Sequence, residues 1–200
     1  MTPNSNEEQR LVKQLQNGNK AAAREFFSRY GDCLAGVCSR YIVNEEDLKD
    51  VFQNALIHIF SHIARFEYRG AGSLKAWATK VVVNEALKFL RTKSRHELLF
   101  TEVETSKTVQ FAAMPSQPDD DTEAPPLSDI PPDAIRQMLS QLPTGYRTVL
   151  NLYVFEGKSH QEIASLLGIK RDSSASQLHR ARAMLAKIIK KYNDDNPPRR

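Results

Sequence analysis

The most constraining feature of this chain is the stretch 159–185, SHQEIASLLGIKRDSSASQLHRARAML. Ser159 and Glu162 have the spacing of a helix capping box, and Gly168 is the type of residue that ends a helix. Asp172 then offers a cap for a second helix. Two short helices joined by a glycine turn predict a helix-turn-helix.

The second helix of this pair divides into an apolar and a polar side. Apolar residues recur at spacings of three and four and are expected to pack: Ala175, Leu178, Ala181, Leu185 and Ile188. The outer surface is left to Ser173, Ser174, Ser176, Gln177, Arg180 and Arg182. Small polar and basic side chains suit a helix that enters a DNA major groove. An ordinary helical hairpin with a solvated basic face is the alternative.

Charge is distributed unevenly along the chain, although the net charge is only +4. Residues 1–96 carry a net charge of +5, residues 97–133 carry −8 and residues 134–200 carry +7. Two basic modules around an acidic connector predict a polyanionic partner. There is no signal-peptide core and no apolar run near the roughly 20 residues of a membrane span, so we expect a cytoplasmic protein without membrane insertion.

Helical periodicity divides the first module, residues 1–96, into five helices. The first four are predicted at Glu7–Gln16, Lys20–Tyr30, Asp32–Ile42 and in a long segment that Asn44 caps. Ser73 is expected to cap the fifth. Buried residues of the first two helices are predicted to be Leu11, Val12, Leu15, Phe26 and Phe27.

The fourth helix carries an acidic, amide-rich strip near its start, formed by Asp47, Asp50, Gln53 and Asn54. One interpretation is favourable charge at a helix N-terminus. The other is a docking surface for a protein partner, because a carboxylate patch repels DNA inside an otherwise basic module. His58 and His62 follow on the same helix, but two histidines are too few for a metal site, and we expect neither a metal nor another cofactor.

The loop Arg65–Ser73, RFEYRGAGS, mixes aromatic and basic side chains that can stack on and neutralise unpaired nucleotides. The fifth helix then exposes a run of hydrogen-bond donors: Lys75, Lys80, Asn84, Lys88, Arg91, Lys93 and Arg95. Trp77 lies at helical spacing with the packing side, where an aromatic residue usually belongs to the core. A tryptophan at the edge of a basic helix can also contact a ligand, and both roles stay open.

Periodicity is lost between residues 97 and 132, a segment with six prolines and a run of three aspartates. Such a composition predicts a flexible acidic linker, which acts either as a solvated tether or as an occupant of a basic channel. Folding resumes with Asp133 as a helix cap and with a helix from Thr144 to Phe155, in which Tyr153 and Val154 are apolar positions. We therefore predict an all-α chain with a second, four-helix domain at 133–192 and a basic tail at 193–200.

Three segments together resemble the extracytoplasmic-function (ECF) group of sigma-70 family RNA polymerase sigma factors. They are DLKDVFQNALIHIF, GSLKAWATKVVVNEALKFLR and LPTGYRTVLNLYVFEGKSHQEIASLLGIKRDSSASQLHRARAML. The resemblance covers nearly the whole chain outside the N-terminal tail and the linker. It implies a sigma region 2-like first domain, a sigma region 4-like second domain, and a non-enzymatic role in transcription initiation.

The resemblance also implies a role for each surface. Residues similar to those that dock on the β′ clamp of core polymerase are Asp47, Asp50, Gln53 and Asn54. Residues similar to those that capture the opened minus-ten element are Arg65, Arg69, Trp77, Lys80, Asn84, Lys88 and Arg91. Residues similar to those that contact the minus-thirty-five element are Lys170, Arg171, Ser173, Ser174, Ser176, Gln177, Arg180 and Arg182. The β flap and an anti-sigma factor are further implied partners, and the linker would run towards the RNA exit path.

Some positions depart from the family pattern, so the promoter sequence does not follow from the resemblance. Lys88 stands where many relatives carry Asp, and Ser174 and Ala175 replace the commoner Val-Lys pair. The alternative from another class is a two-domain DNA-binding regulator whose first module is an unrelated dimerisation bundle. An enzyme is not expected, because no nucleophile, metal cluster or phosphate-binding loop is recognisable.

Overall fold

The computed structural model describes residues 5–97 and 130–196, and regular secondary structure in these two ranges is entirely helical. The chain separates into two compact units, Met1–Lys93 and Ser94–Arg200. The all-α prediction is therefore confirmed. Residues 98–129 of the predicted linker and residues 197–200 of the predicted tail lie outside the described residues. Among the described helices, none has both the length and the apolar content needed to cross a membrane.

Four α-helices and one 3₁₀ turn build the described part of the first unit. They are α1 (Ser5–Gln16), α2 (Lys20–Tyr41), α3 (Glu45–His62), the turn Ile63–Arg65 and α4 (Ser73–Glu97). The predicted core residues Leu11, Val12, Leu15 and Phe26 are buried. The Phe26 ring on α2 meets the Phe60 ring on α3 edge-on, with 5.6 Å between the ring centroids. The apolar faces predicted from periodicity thus form the core of this unit.

Helix α2 runs without a break through the point where two separate helices are predicted. Gly31 lies in its interior, where glycine costs about 1 kcal/mol relative to alanine but does not end a helix that tertiary packing stabilises. A Cβ atom at Gly31 would lie 3.4 Å from the Phe27 ring, so the absence of a side chain leaves room for that ring. Phe27 remains 52% exposed, and the prediction that it is buried is wrong.

The starts of α3 and α4 are fixed in different ways. Asn44 caps α3 as predicted, since its side-chain oxygen accepts the backbone N–H of Asp47 at 2.9 Å. The prediction that Ser73 caps α4 is wrong. The donors at the start of α4 are taken instead by the carboxylate of Glu8, which is fully buried and comes from α1.

The second unit contains α5 (Pro132–Ser140), α6 (Thr144–Val154), α7 (His160–Leu167) and α8 (Arg171–Asp195). Helix α8 contacts each of the other three. Ile130, Met138 and Ile189 form one buried cluster of this unit. The predicted short second helix of the pair is 25 residues long, and it continues into the segment predicted as a tail.

Some of the helix caps predicted for the second unit are present and others are not. Ser159 and Glu162 form the predicted capping box, and Gly168 ends α7 in the left-handed conformation with φ of 71°. The predicted caps Asp133 and Asp172 are wrong, because both residues lie inside the first turn of their helices. Their carboxylates there still interact favourably with the helix dipole.

Helix α6 buries Val149 and Leu150, as its apolar pattern predicts, but not all of its predicted apolar positions. Tyr153 and Val154 are exposed, whereas Arg147 and Asn151 are buried. The guanidinium of Arg147 donates to the backbone carbonyl of Leu142 at 2.9 Å, in the turn between α5 and α6. Burial lowers the pKa of this guanidinium, but a buried donor that is hydrogen-bonded to a carbonyl remains tolerated.

Replacing Gly31 with Ala tests whether α2 is continuous. In an unbroken helix the substitution should raise the free energy of unfolding by up to about 1 kcal/mol, reduced by the close contact with Phe27. Gly36→Ala is the matched control, because a Cβ there meets nothing within 4 Å. Urea unfolding followed by circular dichroism measures both. Loss of stability in Gly31→Ala alone would contradict this prediction.

The capping box of α7 predicts a pH dependence. Hydrogen bonds from Lys158, and then from the backbone and side chain of Ser159, lower the pKa of Glu162 to about 2. Because this folded-state pKa lies below the ordinary value of 4.5, its contribution to stability is complete above pH 4.5 and is lost as the pH falls to about 2. Glu162→Gln should therefore unfold at a lower temperature than the unsubstituted chain at pH 7. That difference should shrink between pH 4.5 and 2 in thermal unfolding curves, and a constant difference would contradict the prediction.

Candidate nucleic-acid interface

Exposed polar and basic side chains follow one side of α4. Lys80, Asn84, Lys88 and Arg91 are all exposed, and their spacings of four, four and three residues align them along the helix. Beneath this basic stripe lies a single carboxylate, Glu85. Its Oε1 is 3.0 Å from Nδ1 of His58 on α3, and its Oε2 is 3.9 Å from Nζ of Lys88.

Trp77 lies half-buried on the same helix. Its indole ring packs against the Phe66 ring at a centroid distance of 5.0 Å. Both of its predicted roles are therefore compatible with the structure, because one part of the ring packs and another part stays exposed. Trp77 also borders a shallow depression together with His58, His62, Val81, Asn84 and Glu85. Within residues 5–97 and 130–196, no group of three or more His, Cys, Asp or Glu side chains is arranged to hold a metal ion.

The segment between the 3₁₀ turn and α4, residues 66–72, forms an irregular loop that we call the capture loop. Arg65, the last residue of the 3₁₀ turn, and Arg69 within the loop are both exposed. The guanidinium of Arg69 is 3.2 Å from the carboxylate of Glu67. Gly70 and Gly72 have φ of 115° and 85°, which a residue with a Cβ rarely adopts. Glycine at these two positions therefore sets the path by which the loop enters α4.

The acidic strip on α3 is exposed in three of its four positions, namely Asp50, Gln53 and Asn54. The fourth, Asp47, is half-buried because its carboxylate forms an ion pair with Nζ of Lys93 on α4 at 2.8 Å. Ile57 extends the strip by one turn and is 60% exposed. Sequence reasoning missed Ile57, although it falls outside the buried series Val51, Ala55 and Ile59.

Most of the predicted residues at the start of α8 are accessible. Those exposed are Lys170, Arg171, Ser176, Arg180 and Arg182, while Ser173 and Gln177 are half-buried. His179 and Asp172 are also exposed, and their spacings to Ser176 are three and four residues, so they share its side of the helix. Neither residue was among the predicted contact residues of this helix, where Asp172 was predicted only as a cap, although the same spacing rule identifies both.

Ser174 is not on this outer surface. Its side chain is fully buried, and its hydroxyl lies 3.0 Å from Nδ1 of His160 at the start of α7. The prediction that Ser174 is exposed and Ala175 packed is wrong, because α8 is rotated so that Ser174 joins Leu178 and Ala181 on the buried side. Ser174 thus links the two helices of the helix-turn-helix.

Arg182 makes a contact inside the second unit. Its guanidinium carbon lies 5.5 Å from the centre of the Tyr153 ring on α6. The Tyr153 ring also stacks on the ring of His160, with 5.0 Å between the centroids and 25° between the planes. Cation–π contacts of this kind stabilise a side chain in one orientation. Arg182 is therefore accessible yet held beside α6.

Two family descriptions match the chain, one in each unit. Sigma-70 region 2 matches residues 26–96, and Sigma-70 region 4 matches residues 133–185. A region 2 match over the first unit does not fit the alternative in which this unit is an unrelated dimerisation bundle. The two matched segments also contain all the predicted site residues.

Relatives match along almost their full length. The ECF RNA polymerase sigma-E factor of Haemophilus influenzae is 28% identical over 186 residues, covering 91% of this chain and 95% of the relative. The RNA polymerase sigma-H factor of Pseudomonas aeruginosa is 26% identical over 184 residues, covering 92% and 94%. The ECF sigma factor SigW of Bacillus subtilis is 26% identical over 183 residues, covering 90% and 95%. This chain therefore belongs to the extracytoplasmic-function group of the sigma-70 family and is an RNA polymerase sigma factor.

Proposed function

We propose that this sigma factor divides promoter recognition and polymerase binding among three surfaces. The basic stripe of α4 and the capture loop take the opened minus-ten element, the start of α8 takes the minus-thirty-five element, and the acidic strip of α3 binds core polymerase. The observation that carries the proposal is the coexistence, in one unit, of an exposed acidic strip on α3 and an exposed basic stripe on α4. A protein that bound only DNA would not need an exposed acidic strip.

The composition of the acidic strip supports a protein partner. Asp50, Gln53 and Asn54 supply charge and hydrogen bonds, and Ile57 supplies an apolar contact beside them. Charged groups steer association, and an apolar anchor contributes binding energy once water is excluded. Because the Asp47 carboxylate already pairs with Lys93, we assign the main polymerase contact to the three exposed residues. By family resemblance the partner is the β′ clamp.

The minus-ten assignment follows from the pairing of cations with aromatic rings. Lysine and arginine side chains on α4 neutralise phosphates, and the half-exposed Trp77 offers a face on which an unpaired base can stack. Stacking of this kind is available only to an unpaired base, so its binding energy favours the open duplex, while the phosphate contacts add affinity. Strand opening in this scheme needs no ATP.

The minus-thirty-five assignment rests on the first turns of α8. Ser176, Arg180 and the newly identified His179 share an exposed side, and an arginine can bind guanine O6 and N7 together. The exposed carboxylate of Asp172 can accept a hydrogen bond from cytosine N4. We further propose, from family resemblance, contact with the β flap, control by an anti-sigma factor and action in the cytoplasm.

In vitro transcription tests the whole proposal. Purified chain is added to core RNA polymerase and fragmented genomic DNA, and the transcript starts are mapped. We expect defined starts that share two upstream elements. Absence of any start above the background of core polymerase alone would overturn the proposal.

Replacing Asp50 and Asn54 together with Ala should weaken core binding by about tenfold or more, equivalent to about 1.4 kcal/mol, as expected for central interface residues. Fluorescence anisotropy of labelled sigma factor titrated with core polymerase measures the affinity. Asp32→Ala is a matched control, because it removes an exposed carboxylate from α2 instead of α3. If the double variant and the control bound core polymerase equally well, the acidic strip would not be a polymerase-binding surface.

Arg180→Ala should weaken promoter binding by about 1–3 kcal/mol if the guanidinium contacts a base edge. The loss should be larger on the mapped promoter than on a copy with a scrambled minus-thirty-five element, as measured by mobility shift with holoenzyme. Ser174→Ala serves as the comparison, since its hydroxyl is buried against His160 and should affect stability more than sequence preference. The same loss on both DNAs would make Arg180 a phosphate contact instead.

A further inference from the structure

Helix α1 is attached to the capture loop at three points along its length. At its start, the hydroxyl of Tyr68 donates to the backbone carbonyl of Ser5 at 2.8 Å. At its end, Nε2 of Gln16 donates to the carbonyl of Phe66 at 2.9 Å and to that of Ile63 at 3.3 Å. These bonds join residues that are 47 to 63 positions apart in the sequence. The capture loop is thus held by α1, which is not one of the two elements that the loop joins.

The third attachment is the most buried. Both carboxylate oxygens of Glu8 accept backbone N–H groups: Oε2 from Gly72 at 2.6 Å and Oε1 from Leu74 at 2.8 Å. The first N–H groups of a helix have no partner within the helix, so a carboxylate placed there satisfies them and also interacts with the helix dipole. Glu8 is fully buried, and a buried charge is tolerated only when it is hydrogen-bonded in this way.

The three attachments leave the functional side of the loop free. Arg65 and Arg69 stay exposed, and the Phe66 ring stays packed on Trp77. Irregular loops move more than the helices they join, and a loop that must be ordered on binding loses affinity to that ordering. A loop that α1 already holds in place avoids this loss.

We propose that Glu8 is a positioning residue for capture of the opened minus-ten strand, and that α1 is the element that pre-organises the capture loop. This role rests on the minus-ten assignment made above. It adds a part of the chain that the region 2 match, residues 26–96, does not include. Glu8 itself contacts no DNA in this scheme and acts through the backbone of Gly72 and Leu74.

The test compares Glu8→Gln with Glu7→Gln in the full chain. Glu7 is its neighbour on α1, is exposed, and lies 3.7 Å from Arg29, so its substitution removes the same charge without touching the loop. The probe is the labelled nontemplate strand of a promoter mapped by transcription, bound to holoenzyme at a temperature where all variants are folded. We expect Glu8→Gln to bind this strand about tenfold more weakly, while its affinity for core polymerase and that of Glu7→Gln for both ligands stay within twofold.

Amide hydrogen exchange is a second measurement of this role, and it does not depend on DNA. Glu8→Gln should speed exchange at Gly72 and Leu74 and leave the amides of α3 unchanged. Unchanged strand affinity, or a parallel loss of core binding and of protection throughout the unit, would overturn the positioning role and leave Glu8 a general stabilising residue. If the unsubstituted holoenzyme binds no strand, the minus-ten assignment fails, whereas the exchange result still decides whether Glu8 orders the loop.

If Glu8→Gln does not fold, Gln16→Ala tests the role of α1 instead. It removes the attachment at the other end of α1, through a side chain that is only part-buried. We expect the same pattern at smaller size: about threefold weaker strand binding with unchanged core affinity. Strand affinity equal to that of the unsubstituted chain would count against pre-organisation by α1.

Discussion

A carboxylate with no exposed surface, Glu8, bonded to two backbone amides 64 and 66 residues away, sets the geometry of the first unit. Removing either side of this contact would leave a buried charge or buried N–H groups without partners, and each unsatisfied group costs about 1–3 kcal/mol. The start of α4 is consequently fixed relative to α1. The basic stripe and Trp77 are carried by α4, so their positions depend on that contact together with the ion pairs that join α4 to α3.

The second unit fixes α8, the helix proposed to contact DNA, in a different way. Gly168 turns the chain between α7 and α8, and the hydroxyl of buried Ser174 meets His160 across that turn. Tyr153 on α6 contacts both the ring of His160 and the guanidinium of Arg182. These contacts come from three helices and together determine which side of α8 faces solvent.

Surface charge in the first unit is sorted by helix. Asp50 and its amide neighbours on α3 are exposed, as are the cations of α4, while Asp47 and Lys93 neutralise each other where the two helices meet. A sigma factor must bind a protein and a polyanion at once, and separate surfaces of opposite sign allow both without competition. The overall charge of +4 conceals this arrangement.

Features set by neighbours three or four residues away could be predicted from the sequence. The caps at Asn44 and Ser159 and the stop at Gly168 are confirmed, since the bonds that form them are local. The spacing rule likewise identified the exposed cations of α4. Local signals also misled: Gly31 does not end α2, because packing outweighs the small helix penalty of glycine, and Asp133 and Asp172 lie inside their helices and not at the caps.

The sequence by itself therefore determined an all-α chain with two basic modules, most of its helices and the chemistry of its surfaces. Only the tertiary structure decided the rotation of α8 that buries Ser174 instead of Ala175, and the use of Glu8 as the cap of α4. Both Ser174 and Ala175 fit a helical repeat with Leu178. Which of the two is buried therefore depends on the helices that pack on α8. A hydrogen bond between residues 8 and 74 has no local signature, because its free energy appears only once distant segments meet.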